Sequence, residues 1–79
     1  MKIWVPKLPR PSTRELIKYL NKKRGFVVIR IKGDHHTLQN HEGRYTTVPL
    51  RKEIGQGLLL EILADAGISR EEFMKDWYG

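Results

Sequence analysis

Gly25-Phe26-Val27-Val28-Ile29-Arg30-Ile31-Lys32-Gly33-Asp34-His35-His36 is the stretch on which the fold turns. Val27, Val28, Ile29 and Ile31 are β-branched and fit a pleated surface, and Gly33 supplies the conformational freedom of a tight turn, so a strand ends at Lys32 and the chain reverses. A second strand is expected from His35 to Asn40. His41-Glu42-Gly43 then reads as a hairpin connection, and Arg44 to Val48 as a third strand closed by Pro49, which has no N–H to give to a ladder. Period two places Val27, Ile29 and Ile31 on one face, predicted to be core, and Phe26, Val28, Arg30 and Lys32 on the other.

Outward from the strands, the flanks read as helices. Ser12-Thr13-Arg14-Glu15 fits a capping box, and Leu16, Ile17, Tyr19 and Leu20 form an apolar stripe opposite Arg14, Lys18 and Lys22 until Gly25 stops the helix. Before it, Pro6, Pro9 and Pro11 forbid helix, which makes residues 1–11 a proline-rich arm and residues 12–79 the domain. Downstream, Leu58 to Ala66 is amphipathic and ends at Gly67. Ser69-Arg70-Glu71-Glu72 is a second capping box, with Ile68 and Phe73 spaced as a hydrophobic staple, and it opens a short helix around Phe73, Met74, Trp77 and Tyr78. The order is α-β-β-β-α plus a terminal helix. This is an α+β fold like that of the double-stranded-RNA-binding domain, a three-stranded antiparallel sheet with two helices on one face and the other face open.

A chain of 79 residues holds one core and buries only about 60% of its unfolded surface. With 39% hydrophobic and 30% charged residues it has the composition of a folded domain rather than of a disordered tail. Cysteine is absent, which excludes disulfides, thiolate metal sites and cysteine nucleophiles together. The longest apolar run is Leu58-Leu59-Leu60, so no membrane span is expected, and Met1-Lys2-Ile3-Trp4-Val5-Pro6-Lys7 lacks the apolar core of a secretory leader; the expected location is the cytoplasm. The formal charge of +6 favours a polyanionic partner. It is unevenly placed: residues 1–33 hold ten basic residues and one acid, residues 34–79 five and eight. An anion should therefore meet the first half of the chain.

No phosphate loop is present, since Gly55-Gln56-Gly57 is too short and lacks the following Lys-Ser. The reactive inventory reduces to His35, His36 and His41. If Leu38 packs inward, His36 shares its face and His35 points outward with Thr37 and Gln39, onto the face expected to carry Arg30 and Lys32. An exposed imidazole beside cations is what RNA cleavage without metal requires: a group that moves a proton near neutral pH, and charges that hold the phosphate. Competing readings are plain. Most strand histidines are polar residues and nothing more, His36 suits a half-buried packing role, and Lys22-Lys23-Arg24 suits a solvated helix end. A zinc site from Asp34, His36 and His41 lacks the paired short spacings of zinc motifs.

Six stretches in order resemble the HicA (YcfA-type) toxin family of HicA/HicB toxin-antitoxin systems. They are Ser12 to Leu20, Gly25-Phe26-Val27, Lys32-Gly33-Asp34-His35-His36, Thr47-Val48-Pro49, Glu53 to Leu59 and Ile62 to Ile68. The resemblance implies a double-stranded-RNA-binding-like fold, ribosome-independent cleavage of mRNA, a catalytic histidine in the Gly-Ser-His-His segment, and a HicB-like antitoxin that covers it. Carried over, the catalytic position falls on His35, with His36 as the fallback. Two positions depart from the family: Asp34 stands where a small polar residue is usual, and Leu50-Arg51-Lys52 follows Val48-Pro49 where a further histidine is common. The expectation is thus an mRNA interferase, a type II toxin working without metal or other cofactor. His35 is the general acid or base, Arg30, Lys32 and Arg51 contact phosphate, and Lys22, Lys23 and Arg24 steer RNA from the periphery. Two readings from other classes stand beside it: a non-catalytic RNA-binding module, and an inactive homologue kept only to bind a HicB-like partner, for which Asp34 is the motive.

Overall fold

A computed structural model describes residues 7–79. Residues 1–6, which take in Pro6 and all but Lys7 of the stretch read as lacking a leader, lie outside the described residues. The elements run α1 (Thr13–Arg24), β1 (Val27–Lys32), β2 (His35–Gln39), β3 (Tyr45–Pro49), α2 (Gln56–Ala66) and α3 (Arg70–Tyr78). The strands form one antiparallel sheet in the order β1-β2-β3. The α+β layout read from the sequence is the one observed, with α2 starting two residues earlier than its apolar pattern suggests.

Local chemistry explains each boundary. Ser12 and Ser69 cap α1 and α3 through complete capping boxes with Glu15 and Glu72, which satisfy amide groups that a helix start leaves free. Gly25 and Gly67 end α1 and α2 in the left-handed conformation. Between β1 and β2 only Gly33 and Asp34 intervene, Gly33 at φ 59° and Asp34 without positive φ, the pattern of a II′ hairpin turn. The β2–β3 connection is organised by Asn40, whose Oδ1 accepts from the Glu42 and Arg44 amides at 3.1 and 2.9 Å.

The core lies between the sheet and the helices. Leu38, Val48 and Thr46 supply the sheet side; Leu16, Tyr19 and Leu20 of α1, Leu59, Ile62, Leu63 and Ala66 of α2 and Phe73 of α3 close over them. Thr46 is buried at no cost in unpaired polar atoms, because its hydroxyl donates to the Ile62 carbonyl at 2.8 Å and ties β3 to α2. Two residues of the arm belong to the packing as well: Leu8 is 7% exposed, and Pro11 is buried, its carbonyl accepting from the Ile54 amide at 2.7 Å.

Strand β1 departs from the alternation read in the sequence. Val27, Ile29 and Ile31 were expected in the core and are 51%, 49% and 63% exposed, whereas Phe26, expected on the open face, is 1% exposed. Two causes act together. The register with β2 slips between Val28 and Arg30, so that Val28 pairs with the core residue Leu38 while Arg30 pairs with Thr37, and a bulge of one residue reverses the parity on its two sides. The helices also lie over β2 and β3, leaving β1 uncovered along its whole length. Beyond the bulge Arg30 and Lys32 return to the face of His35, as alternation from the C-terminal end of the strand requires.

Candidate functional site

Directly paired residues in an antiparallel sheet share a face, so the register defines the open surface row by row. Lys32, His35 and Pro49 form one row, Arg30, Thr37 and Thr47 the next, and Val27, Gln39 and Tyr45 the third. The first two rows bring His35, Arg30 and Lys32 together on the helix-free face. Tyr45, 58% exposed, extends that face at its far end. Sequence reasoning passed over Tyr45, although counting alternate residues back from Val48, a core position, would have turned it outward.

His35 sits at the first position after the Gly33-Asp34 turn. Its Nδ1 lies 2.8 Å from Asp34 Oδ1, and both side chains are more than half exposed. The other Asp34 oxygen is 4.0 Å from Arg51 Nη1, and the Arg51 guanidinium also donates to the Leu50 carbonyl at 2.9 Å. Backbone contacts hold the turn against the exit of β3: the Leu50 amide donates to the Asp34 carbonyl at 2.7 Å. Arg51 is anchored from behind by Thr13. The Thr13 hydroxyl, 3% exposed, donates to the Pro49 carbonyl at 2.6 Å and accepts from the Arg51 amide at 2.6 Å, and the Thr13 amide donates to the Arg51 carbonyl at 3.1 Å. The start of α1 thereby fixes the segment that carries Arg51. Thr13 is the second residue that sequence reasoning missed, and no local signal in the sequence marks it, because its partners lie 36 and 38 positions away.

His36 points to the other side. It is half-buried, paired with Ile31 and Val48, with Nδ1 3.2 Å from the Val48 carbonyl. His41 is exposed in the β2–β3 connection, at the opposite end of β2 from His35. Among the described residues no three His, Asp or Glu side chains converge as metal ligands, so Asp34, His36 and His41 do not form such a group.

Lys22, Lys23 and Arg24 end α1, and the five steps of β1 that separate this end from Lys32 span roughly 17 Å. Arg24 is committed to α3. It makes contacts of 2.8 Å with Asp76 and 3.1 Å with Glu72, and its Nε donates to Asp76 at 3.0 Å. Tyr19, packed edge-on against Phe73 at 5.0 Å and near Trp77 at 6.0 Å, donates its hydroxyl to the same Asp76 oxygen at 2.8 Å. Burial pushes the Tyr19 hydroxyl up to about 12, with Asp76 adding to the rise and Arg24 opposing it. Burial alone would raise Asp76, but the Tyr19 hydroxyl and the Arg24 guanidinium outweigh it and hold the carboxyl below its ordinary value. The cluster clamps α3 to α1, and Trp77 is spent on that packing rather than offered to a ligand.

Chemically, the open face presents an imidazole oriented by a carboxylate, cations in the same and the adjacent row, and an aromatic ring further along. No helix among the described residues is long and apolar enough to cross a membrane. No curated protein matches the chain. The family model described as the HicA toxin of bacterial toxin-antitoxin systems matches residues 13–68, from the first residue of α1 to the residue before the cap of α3, and takes in the Gly33-Asp34-His35-His36 turn. The chain belongs to the HicA toxin family, the toxin side of a bacterial toxin-antitoxin pair.

Proposed function

We propose that the protein is a metal-independent endoribonuclease, an mRNA interferase, in which His35 is the general acid or base and a HicB-like antitoxin is the inhibitor. The observation that carries this reading is the Asp34–His35 contact of 2.8 Å on a helix-free face lined by Arg30 and Lys32. When Nδ1–H of His35 donates to the Asp34 carboxylate, the neutral ring keeps its lone pair on Nε2, the nitrogen left for substrate.

The reaction needs no group beyond these. Nε2 takes the proton of a ribose 2′-hydroxyl; the 2′-oxygen attacks the adjacent phosphorus; the bond to the 5′-oxygen breaks, and that oxygen leaves with a proton relayed from the Nε2–H through water, which returns the ring to its starting form. The products are a 2′,3′-cyclic phosphate and a 5′-hydroxyl end. Charge builds on the non-bridging phosphate oxygens, where Arg30, Lys32 and Arg51 would stabilise it. Tyr45 offers a ring on which an unpaired base can stack. Lys22 and Lys23 would act at a distance as electrostatic steering; Arg24, whose charge is met by two carboxylates, adds less. Asp34 is therefore read as an asset of this chain and not as a mark of lost activity. The nuclease domain is assigned to residues 12–79, acting in the cytoplasm, with residues 1–11 as its arm.

The test gives purified wild type and His35→Ala an RNA substrate in the presence of EDTA. Wild type should cleave and leave cyclic phosphate ends, and His35→Ala should lose about 10²–10⁴-fold. Equal activity in the two proteins removes His35 from the mechanism, and a loss confined to His36→Ala transfers the role to His36. Cleavage that appears only with added metal ends the mechanism, and salt-dependent RNA binding without cleavage leaves a binding module instead.

A further inference from the structure

Four of the eight large apolar side chains exposed on the described surface belong to β1: Val27, Val28, Ile29 and Ile31. β1 is an edge strand, so the row of peptide groups turned away from β2 pairs with no strand among the described residues. Beside it runs a groove of about 370 Å³ between β1 and α1, with Ile17, Phe26 and Val28 along its floor and Arg14 and Lys18 on its rim. Edges of this kind are a hazard for a free protein, and the protection visible here is limited to the bulge and to Arg30 and Lys32.

We propose that the β1 edge is a docking strand for the antitoxin, which adds an extended segment of alternating apolar and acidic residues as a fourth strand of the sheet. The register dictates the alternation. On the helix side, the added strand would meet Val28, Ile31 and Ile17, which call for apolar side chains. On the open side it would meet Arg30 and Lys32, which call for carboxylates. Charge favours this occupant over others. Arg14, Lys18, Arg30 and Lys32 flank the groove and the edge, whereas the one acid in residues 1–33, Glu15, is engaged in capping Ser12. A second copy of the chain would bring like charges together. RNA would leave four apolar side chains uncovered. The proposal rests on the antitoxin that membership of the family implies and does not depend on RNA cleavage.

The experiment measures amide hydrogen exchange of the full chain, alone and in complex with its neutralising antitoxin, together with the dissociation constants of wild type, Ile31→Glu and Lys18→Glu. Expected are at least tenfold slower exchange of amides in residues 27–32 in the complex and at least tenfold weaker antitoxin binding by Ile31→Glu, with a smaller loss for Lys18→Glu. Ile31 is 63% exposed, so Ile31→Glu should retain the circular dichroism and RNA cleavage of wild type. Unchanged β1 exchange in the complex, wild-type affinity of Ile31→Glu, protection by RNA instead of antitoxin, or protection of the free chain that grows with its concentration would each overturn the proposal. His35→Ala keeps the β1 signature under this proposal, so a failure of the nuclease reading leaves the docking readout intact.

Discussion

Asp34 and His35 are neighbours in sequence and partners in space: the carboxylate Oδ1 lies 2.8 Å from the imidazole Nδ1, on the outer corner of a two-residue turn, with Arg51 4.0 Å from the second carboxylate oxygen. Adjacent residues at the start of a strand would ordinarily point to opposite faces. The turn removes that constraint, because Asp34 belongs to the turn and not to the ladder. A carboxylate in this position orients the ring and selects its tautomer.

Asp34→Ser restores the small polar residue usual in the family and releases the ring. Its kcat for RNA cleavage should fall, with KM little changed, by less than the roughly 10²–10⁴-fold loss expected for His35→Ala. Steady-state kinetics on a short RNA with both variants checks the order. A kcat for Asp34→Ser equal to or above that of wild type would show that the carboxylate does not assist.

Tyr45→Ala should weaken RNA binding by about 1–3 kcal/mol if a base stacks on the ring, and should leave the charge of the face untouched. The salt slope of binding would then stay that of wild type, whereas Arg30→Ala or Lys32→Ala would lower it by about one counterion each. Titrations at several salt concentrations separate the two behaviours.

Thr13→Val is close to isosteric but removes the hydroxyl that the Pro49 carbonyl and the Arg51 amide share. Leaving those groups unpaired should cost about 1–3 kcal/mol. In a domain of this size that lowers the melting temperature by about 4–8 °C for each kcal/mol. Thermal unfolding followed by circular dichroism measures it; an unchanged midpoint would mean that water replaces the hydroxyl.

The clamp between α1 and α3 makes stability depend on pH at both ends. Asp76 and Glu72 have pKa values below their ordinary 3.8 and 4.5, so the stability they contribute is present above that range and is lost as pH falls through their folded values. Tyr19 is raised from 10.0 to about 12, so its contribution is present below pH 10 and is lost as pH rises from there toward about 12. Denaturant unfolding across pH should show both limbs. Arg24→Met should lessen the acid limb without removing it, because the Ser69 cap chiefly holds Glu72 down and the Tyr19 hydroxyl helps to hold Asp76 down. Tyr19→Phe should abolish the alkaline one; an alkaline loss that persists in Tyr19→Phe would assign it to another group.

Phe73 is fully buried, although it lies beyond the residues matched by the family model. Phe73→Ala should cost about 3–5 kcal/mol, a large part of the total in a small domain. A chain cut after Ile68 loses Phe73 and the clamp together and should unfold without a cooperative transition. A sharp transition in the truncated chain would show that the matched residues fold alone.

Much of this architecture was written in local signals. The capping boxes at Ser12 and Ser69, the glycines at 25, 33 and 67 and the proline at 49 each act within a few residues of themselves, so the element order and the antiparallel sheet follow from the sequence. His35 and His36 were separable for the same reason, since alternation within β2 depends only on Leu38 facing inward. Relations between distant segments were not legible. The bulge in β1 arises from how two strands settle against each other: it sets Val28 on the side of Leu38 and Val27 on the open face, while Ile31, on the helix side, stays exposed because no helix covers β1. The hold of Thr13 on Arg51 and the diversion of Arg24 to α3 are likewise set by packing across 36 or more positions, and which strands the helices cover is set by contacts such as that of Thr46 with Ile62, 16 positions away. The fold class and the corner that holds His35, with Arg30 and Lys32 on its face, are local products of periodicity and capping. The anchoring of Arg51 beside Asp34, the commitment of Arg24 to α3 and the open edge of β1 came from the tertiary structure, because they depend on register and layer position.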